Sequence, residues 1–185
     1  MLPIPFATPA DWNLWLARNP DATEVWLLYH RKGSGTPSID WTQAVVEALA
    51  HGWIDGIRKT VNETQWMQRF TPRKPGSAWS MKNVAHAEAL IAEGRMTARG
   101  MAQVTLARKN GRWETAYSGG KGADLPQDFL EAVATVPAAV AGLAKLDAQN
   151  RFAIYLRLTV VKRPETRAKK IVRYVEMLAA GGKLF

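Results

Sequence analysis

An α+β fold is predicted, a small, mainly antiparallel sheet with packed helices, followed by a C-terminal all-helical module. Three observations carry this. Two β-prone runs, Trp53–Thr60 and Thr64–Thr71, flank a tight turn at Val61-Asn62-Glu63. Amphipathic helical patterns with recognisable caps surround them. Past Ser118-Gly119-Gly120-Lys121-Gly122, a linker composition, only helical periodicity remains. The predicted boundaries are an α+β domain over 1–117, a linker over 118–123 and the helical module over 124–185.

In chain order, Thr8-Pro9-Ala10-Asp11 supplies an N-cap hydroxyl, a first-turn proline and an acid, and opens a helix that ends at Asn19-Pro20. Trp12, Trp15 and Leu16 share its inner face. Glu24 to His30 reads as a strand and Arg31 to Ser38 as a loop. Ser38 or Asp40 caps a helix that buries Ala44, Val45, Ala48 and Leu49 and stops at Gly52. After the paired strands, Ser80 caps a helix closed by Gly94. A second helix covers about 97–110, and 112–117 reads as extended. In the module, helices are expected over about 126–135, from Pro137, after the cap Asp147, and from Pro164 to about Ala180.

The stretch 52–80 concentrates chemistry. Between Ile57 and Lys82 stand six Lys/Arg (Arg58, Lys59, Arg69, Arg73, Lys74, Lys82) against one acid, Glu63, beside bulky aromatic residues. Simple alternation places Trp53, Asp55, Ile57 and Lys59 on one strand face. Asp55 sits in apolar company and requires partners, because an isolated buried charge is costly. Lys59, Arg69 and Arg73 are the candidates, giving either an internal ion pair or a ligand-orienting acid. Arg69, Arg73, Lys74, Ser77, Ser80 and Asn83 surround a bend that leads into a helix N-terminus. Free amides, the helix dipole and arginine forks make an anion site there, walled by Trp53 and Trp79. Arg95 and Arg167 are secondary site residues, and Arg167 lies along the edge of the buried stripe Ile171, Tyr174, Val175 and Leu178.

Composition bounds the function. The chain of 185 residues has a formal charge of +9 and a pI near 10.0, a surface that attracts anions, whether small molecules, peptide groups or, weakly and without sequence preference, nucleic acid. Residues 151–185 hold nine Lys/Arg and two acids. No nucleic-acid-binding motif accompanies them. The absence of cysteine excludes disulfides and thiolate metal sites and fits a reducing, cytoplasmic setting. No signal peptide, membrane span, glycine-rich phosphate loop, nucleophile elbow or paired metal ligands are visible. No cofactor is expected. An enzyme would have to use Asp55 as acid or base.

Ala48-Leu49, Gly52-Trp53-Ile54-Asp55-Gly56, Lys59, Arg69-Phe70-Thr71-Pro72-Arg73-Lys74, Ser77, Trp79-Ser80, Asn83, Leu90-Ile91, Gly94-Arg95-Met96 and Gly100 together resemble the bacteriocin-protection family, also called YdeI or OmpD-associated. Arg151, Lys162-Arg163, Glu165-Thr166-Arg167 and Lys170-Ile171 resemble its C-terminal segment. Val161 and His51 depart from the pattern, standing where a small alanine and an aromatic are usual. The resemblance implies a soluble bacterial protein linked to tolerance of antimicrobial peptides or to a porin. It implies no catalytic residue or cofactor.

Overall fold

The computed structural model describes residues 2–118 and 124–185, so most of the predicted linker lies outside the described residues. The chain forms two compact units, 1–116 and 117–185.

The first unit contains β1 (Ile4–Pro5), α1 (Pro9–Arg18), β2 (Val25–His30), α2 (Trp41–Ala50), β3 (Trp53–Thr60), β4 (Gln65–Pro72), α3 (Met81–Ala92) and α4 (Ala98–Lys109). The sheet order is β1-β2-β4-β3. β1 runs parallel to β2, and the other pairings are antiparallel. The sheet is therefore mixed. β1 escaped sequence reading because it spans two residues, one of them a proline, which the ladder admits only at an edge. Residues 112–115 form a turn rather than the expected extended segment.

Local chemistry sets the helix boundaries. Thr8 with Asp11, and Asp40 with Gln43, form reciprocal capping boxes on α1 and α2. Of the two candidate caps, Asp40 is thus the one used; Ser38 instead accepts the His30 amide. Val25, Leu27, Tyr29, Trp53 and Phe70 share one core with Trp12, Leu16, Ala44, Ala48 and Leu49 of the helices. Trp12 is fully buried. Its indole N–H donates to the Ala44 carbonyl at 3.0 Å, so the ring is buried without losing its polar contact. Each such large side chain contributes about 1.5–3 kcal/mol by burial.

Two glycines position the sheet and α4 against α2. Gly52, at φ +76°, turns the chain from α2 into β3, and its carbonyl accepts the Arg73 amide at 2.9 Å. This ties the start of β3 to the end of β4. Gly100 lies where α4 meets the end of α2. A Cβ there would stand 2.3 Å from the Ala50 oxygen. Thr97 secures the same crossing: its hydroxyl donates to Ala50 O at 2.7 Å and accepts from Gly100 N at 3.2 Å.

The second unit holds α5 (Gln127–Ala134), α6 (Pro137–Ala144), α7 (Ala148–Thr159) and α8 (Pro164–Ala179). Phe129, Val133, Ala139, Ile154, Leu158, Tyr174 and Leu178 form its core. Gly142 lets α6 approach α8, since a Cβ would fall 2.1 Å from the Leu178 oxygen. Asn150 is buried beside the α7 cap, and its side-chain oxygen accepts the Leu184 and Phe185 amides at 2.8 and 3.2 Å.

All eight tryptophans lie in the first unit, so their fluorescence reports its unfolding. Gly100→Ala is expected to lower its stability by about 1–3 kcal/mol through overpacking. Urea denaturation followed by tryptophan emission checks this; an unchanged midpoint would show that the α2–α4 approach is not tight.

Candidate functional site

A β-bulge in β3 borders the site. Cross-strand partners run Trp53↔Pro72, Ile54↔Thr71 and Asp55↔Phe70, then slip to Arg58↔Gln68 and Lys59↔Met67. The slip reverses the expected alternation beyond Asp55. Arg58 and Thr60 join Asp55 on the helix-covered face, while Lys59 turns to the other face and Ile57 is exposed. Lys59 and Arg69 therefore cannot partner Asp55. Lys59 lies 4.9 Å from the Trp26 ring centroid, and Arg69 pairs with Glu24.

Asp55 is held mainly by neutral donors. Its Oδ2 accepts from Gln68 Nε2 at 2.9 Å and from Trp41 Nε1 at 3.4 Å. Burial raises its proton affinity above the ordinary value of 3.8; the Trp41, backbone and Gln68 hydrogen bonds and the nearby Arg73 charge oppose that rise. Gln68 is buried, and its Nε2 also reaches Gly56 O at 3.3 Å. Tyr29, diagonal to Gln68 across β2 and β4, is buried on the same face. Its ring stacks on Trp66 at 3.9 Å, and Arg58 lies over Trp66 at 4.2 Å. Burial first, then the Asp55 and Asp40 charges, push the Tyr29 hydroxyl far above its usual range. Tyr29 Oη and Gln68 Oε1 are both buried and hydrogen-bonded to nothing among the described residues.

The α3 turn, the expected anion site, is knitted to itself. Arg73 is 5% exposed; its guanidinium lies 3.8 Å over Trp79 and donates to the Ala78 carbonyl at 2.6 Å. Trp79 packs on Trp113 at 4.9 Å, and Trp53 meets Trp15 at 6.1 Å as part of the core wall. Ser80 caps α3 through the Asn83 amide at 3.1 Å. Ser77 Oγ accepts from Lys74 N at 3.0 Å, closing the turn and leaving the Lys74 side chain exposed.

The secondary residues stand elsewhere. Arg95 bridges Glu47 and Glu93 and lines an open groove of about 560 Å³ with Ala10, Asn13, Leu14 and Ala17. In the helical unit Arg167 grips Asp128 at 2.6 and 2.8 Å and donates to Leu158 O at 2.7 Å. That contact lowers the Asp128 pKa. Of the cations predicted from sequence to partner Asp55, Arg73 is the one whose charge acts on it. Trp41, Gln68 and Tyr29 were missed. The available signal was Gln68, a polar residue in phase with Trp66 and Phe70 on a strand whose alternate positions face the core.

A sheet-bearing unit with a half-buried carboxylate in aromatic surroundings, followed by a separate helical unit, defines a two-part α+β chain. This chain belongs to the family described as Domain of unknown function (DUF8412), whose model matches residues 4–103. Residues 123–181 match a second model, Bacteriocin-protection, YdeI or OmpD-Associated. The resemblance read from the motifs is thus borne out, and its match lies on the helical unit; the tryptophan-rich stretch falls within the other family's span. No curated protein and no solved structure matches the chain. Among the described residues no helix is long and apolar enough to cross a membrane, and no group of three His, Cys, Asp or Glu could hold a metal ion.

The raised Asp55 pKa has a signed consequence. Between 3.8 and the folded-state value, the folded chain binds more protons than the unfolded one, so stability falls as pH rises through that window. Asp55→Asn cannot titrate. The stability of wild type relative to Asp55→Asn should therefore decline as pH rises above 3.8, read by denaturation midpoints. A rise over that range would mean that Asp55 is stabilised as a carboxylate.

Proposed function

We propose that this chain is a non-enzymatic, cytoplasmic ligand-binding protein of the bacteriocin-protection type, and that it binds at Asp55. The observation that carries the reading is a carboxylate on the covered sheet face, beside a bulge, held by an amide and an indole. An internal ion pair would serve structure alone. A carboxylate kept on neutral donors, on the same sheet face as two buried polar atoms without a hydrogen bond, is equipped to meet a ligand. Trp41, 39% exposed, supplies the outer wall.

The α3 turn is less suited to the task. An anion there would compete with the contacts of Arg73 to Trp79 and Ala78 and with the Ser80 cap on the Asn83 amide. The basic tail also spends cations internally. Arg167 is tied to Asp128, Lys170 donates to Arg157 O at 3.2 Å, and Arg157 lies over Phe185 at 5.5 Å. These contacts weigh against a phosphate-tracking surface as the main role. The absence of cysteine agrees with a reducing compartment. A second reading rests on the raised proton affinity of Asp55, which suits a general base. Chemical conversion of a bound ligand, lost in Asp55→Asn, would favour it over simple binding.

A thermal-shift screen of small acidic, neutral and basic polar molecules tests the site. A true ligand at one hundred times its Kd adds about 2.7 kcal/mol to stability and raises the melting temperature of wild type. The shift should vanish in Asp55→Asn and in Trp41→Ala. A hit that protects all three proteins alike, or no hit across the library, would overturn the assignment.

A further inference from the structure

We propose that the open groove between α1, α2 and Arg95 binds a small aliphatic primary amine, as its ammonium ion, with the alkyl body lying on α1. The groove shares no lining residue with the Asp55 contacts, so it stands independently of the reading above. It holds about 560 Å³, within the range of small-molecule sites. Its lining divides by chemistry. Ala10, Leu14 and Ala17, at i, i+4 and i+7 on α1, form an apolar wall, and Leu14 is 47% exposed. Asn13, Glu47 and Arg95 supply the polar side.

Glu47 anchors that polar side. Its side chain is only 8% exposed, where a carboxylate needs partners. Oε2 accepts from Asn13 Nδ2 at 2.6 Å, and Oε1 accepts from Arg95 Nη2. An ionised carboxylate offers about four lone-pair positions, so about two remain for a further donor. The Asn13 amide sets its own oxygen, another acceptor, beside them. Arg95 is half exposed and also pairs with Glu93 at 3.0 Å. One guanidinium thus serves two carboxylates, and two acids with one arginine leave a local charge of −1 in a chain of net charge +9. On α1, Asp11 and Arg18 stand in the first and last turns and offset each other.

Charge and shape select the occupant. An alkylammonium ion brings the missing positive charge, and its compact head carries three donors for the Glu47 and Asn13 oxygens. Its alkyl chain covers Leu14 and the two alanines, removing apolar surface from water. An aliphatic carboxylate would make the same chain contact but meet Glu47 and Glu93 with like charge. The corresponding alcohol would lack the charge.

NMR titration of the full chain with butylammonium, butyrate and butanol at low salt tests the assignment. Butylammonium should give saturable shifts at Asn13, Leu14 and Glu47 and bind about ten-fold more tightly than butanol, and butyrate should not bind. Glu47→Gln, which is close in shape, should weaken butylammonium about ten-fold. Arg95→Gln, which removes the resident cation, should strengthen it. Glu93→Gln, an exposed change, should weaken it about two-fold and keeps the test open if either other variant fails to fold, as read by tryptophan emission. Butyrate bound as tightly as butylammonium, no saturable shift with butylammonium, or shifts centred on Trp41 and Asp55 instead would overturn the site. Butylammonium binding unchanged in folded Glu47→Gln and Glu93→Gln, or weakened in folded Arg95→Gln, would overturn it too. A lysine-containing tripeptide that binds more tightly than butylammonium would overturn the free amine as the occupant.

Discussion

One amide holds a carboxylate on the covered face of the sheet. The Gln68–Asp55 hydrogen bond spans β4 and β3 beside the bulge, and together with the Trp41 indole it holds the Asp55 carboxylate. With the Asp55↔Phe70 pairing kept, removing the bulge would set Ile57 rather than Arg58 opposite Gln68. Without Gln68, burial of Asp55 would be opposed by the Trp41 indole, its own backbone amide and the Arg73 charge. A carboxylate taken from water needs such donors, and an amide supplies one without closing the site as an arginine fork would.

The surrounding cations have a different task. Of the six between Ile57 and Lys82, four lie over tryptophan rings: Arg58 on Trp66, Lys59 on Trp26, Arg73 on Trp79 and Lys82 on Trp41. Arg69 pairs with Glu24. The basic, aromatic stretch therefore covers its own rings, each contact contributing on the order of 0.5–2 kcal/mol according to exposure. This accounts for aromatic bulk beside excess positive charge without a bound anion. It also surrounds Asp55 with positive potential, which favours neutral over cationic partners.

Much of the fold was legible because it rests on local rules. Thr8, Asp40, Ser80, Thr97 and Asp147 are all cap residues whose chemistry acts within one turn. The helical stripe around Tyr174 and Leu178 and the paired strands follow from periodicity. The site was less legible because its geometry is non-local. A single extra residue in β3 moved Lys59 to the opposite face, which no alternation pattern reveals. Arg73 and Ser80 were correctly placed at the entry to α3, yet they hold the turn together. Tyr29 and Gln68 lie nearly forty residues apart, and only the strand order β2-β4-β3 brings them to Asp55.

The most direct measurement is the titration of the Asp55 side-chain carboxyl by NMR, in wild type and in Gln68→Leu. If Asp55 is a buried carboxylate sustained by the Gln68 amide, its midpoint lies above 3.8 in wild type and moves higher when the amide is removed. A wild-type midpoint at or below 3.8, unchanged by Gln68→Leu, would mean that Asp55 is an ordinary surface acid and would contradict the account.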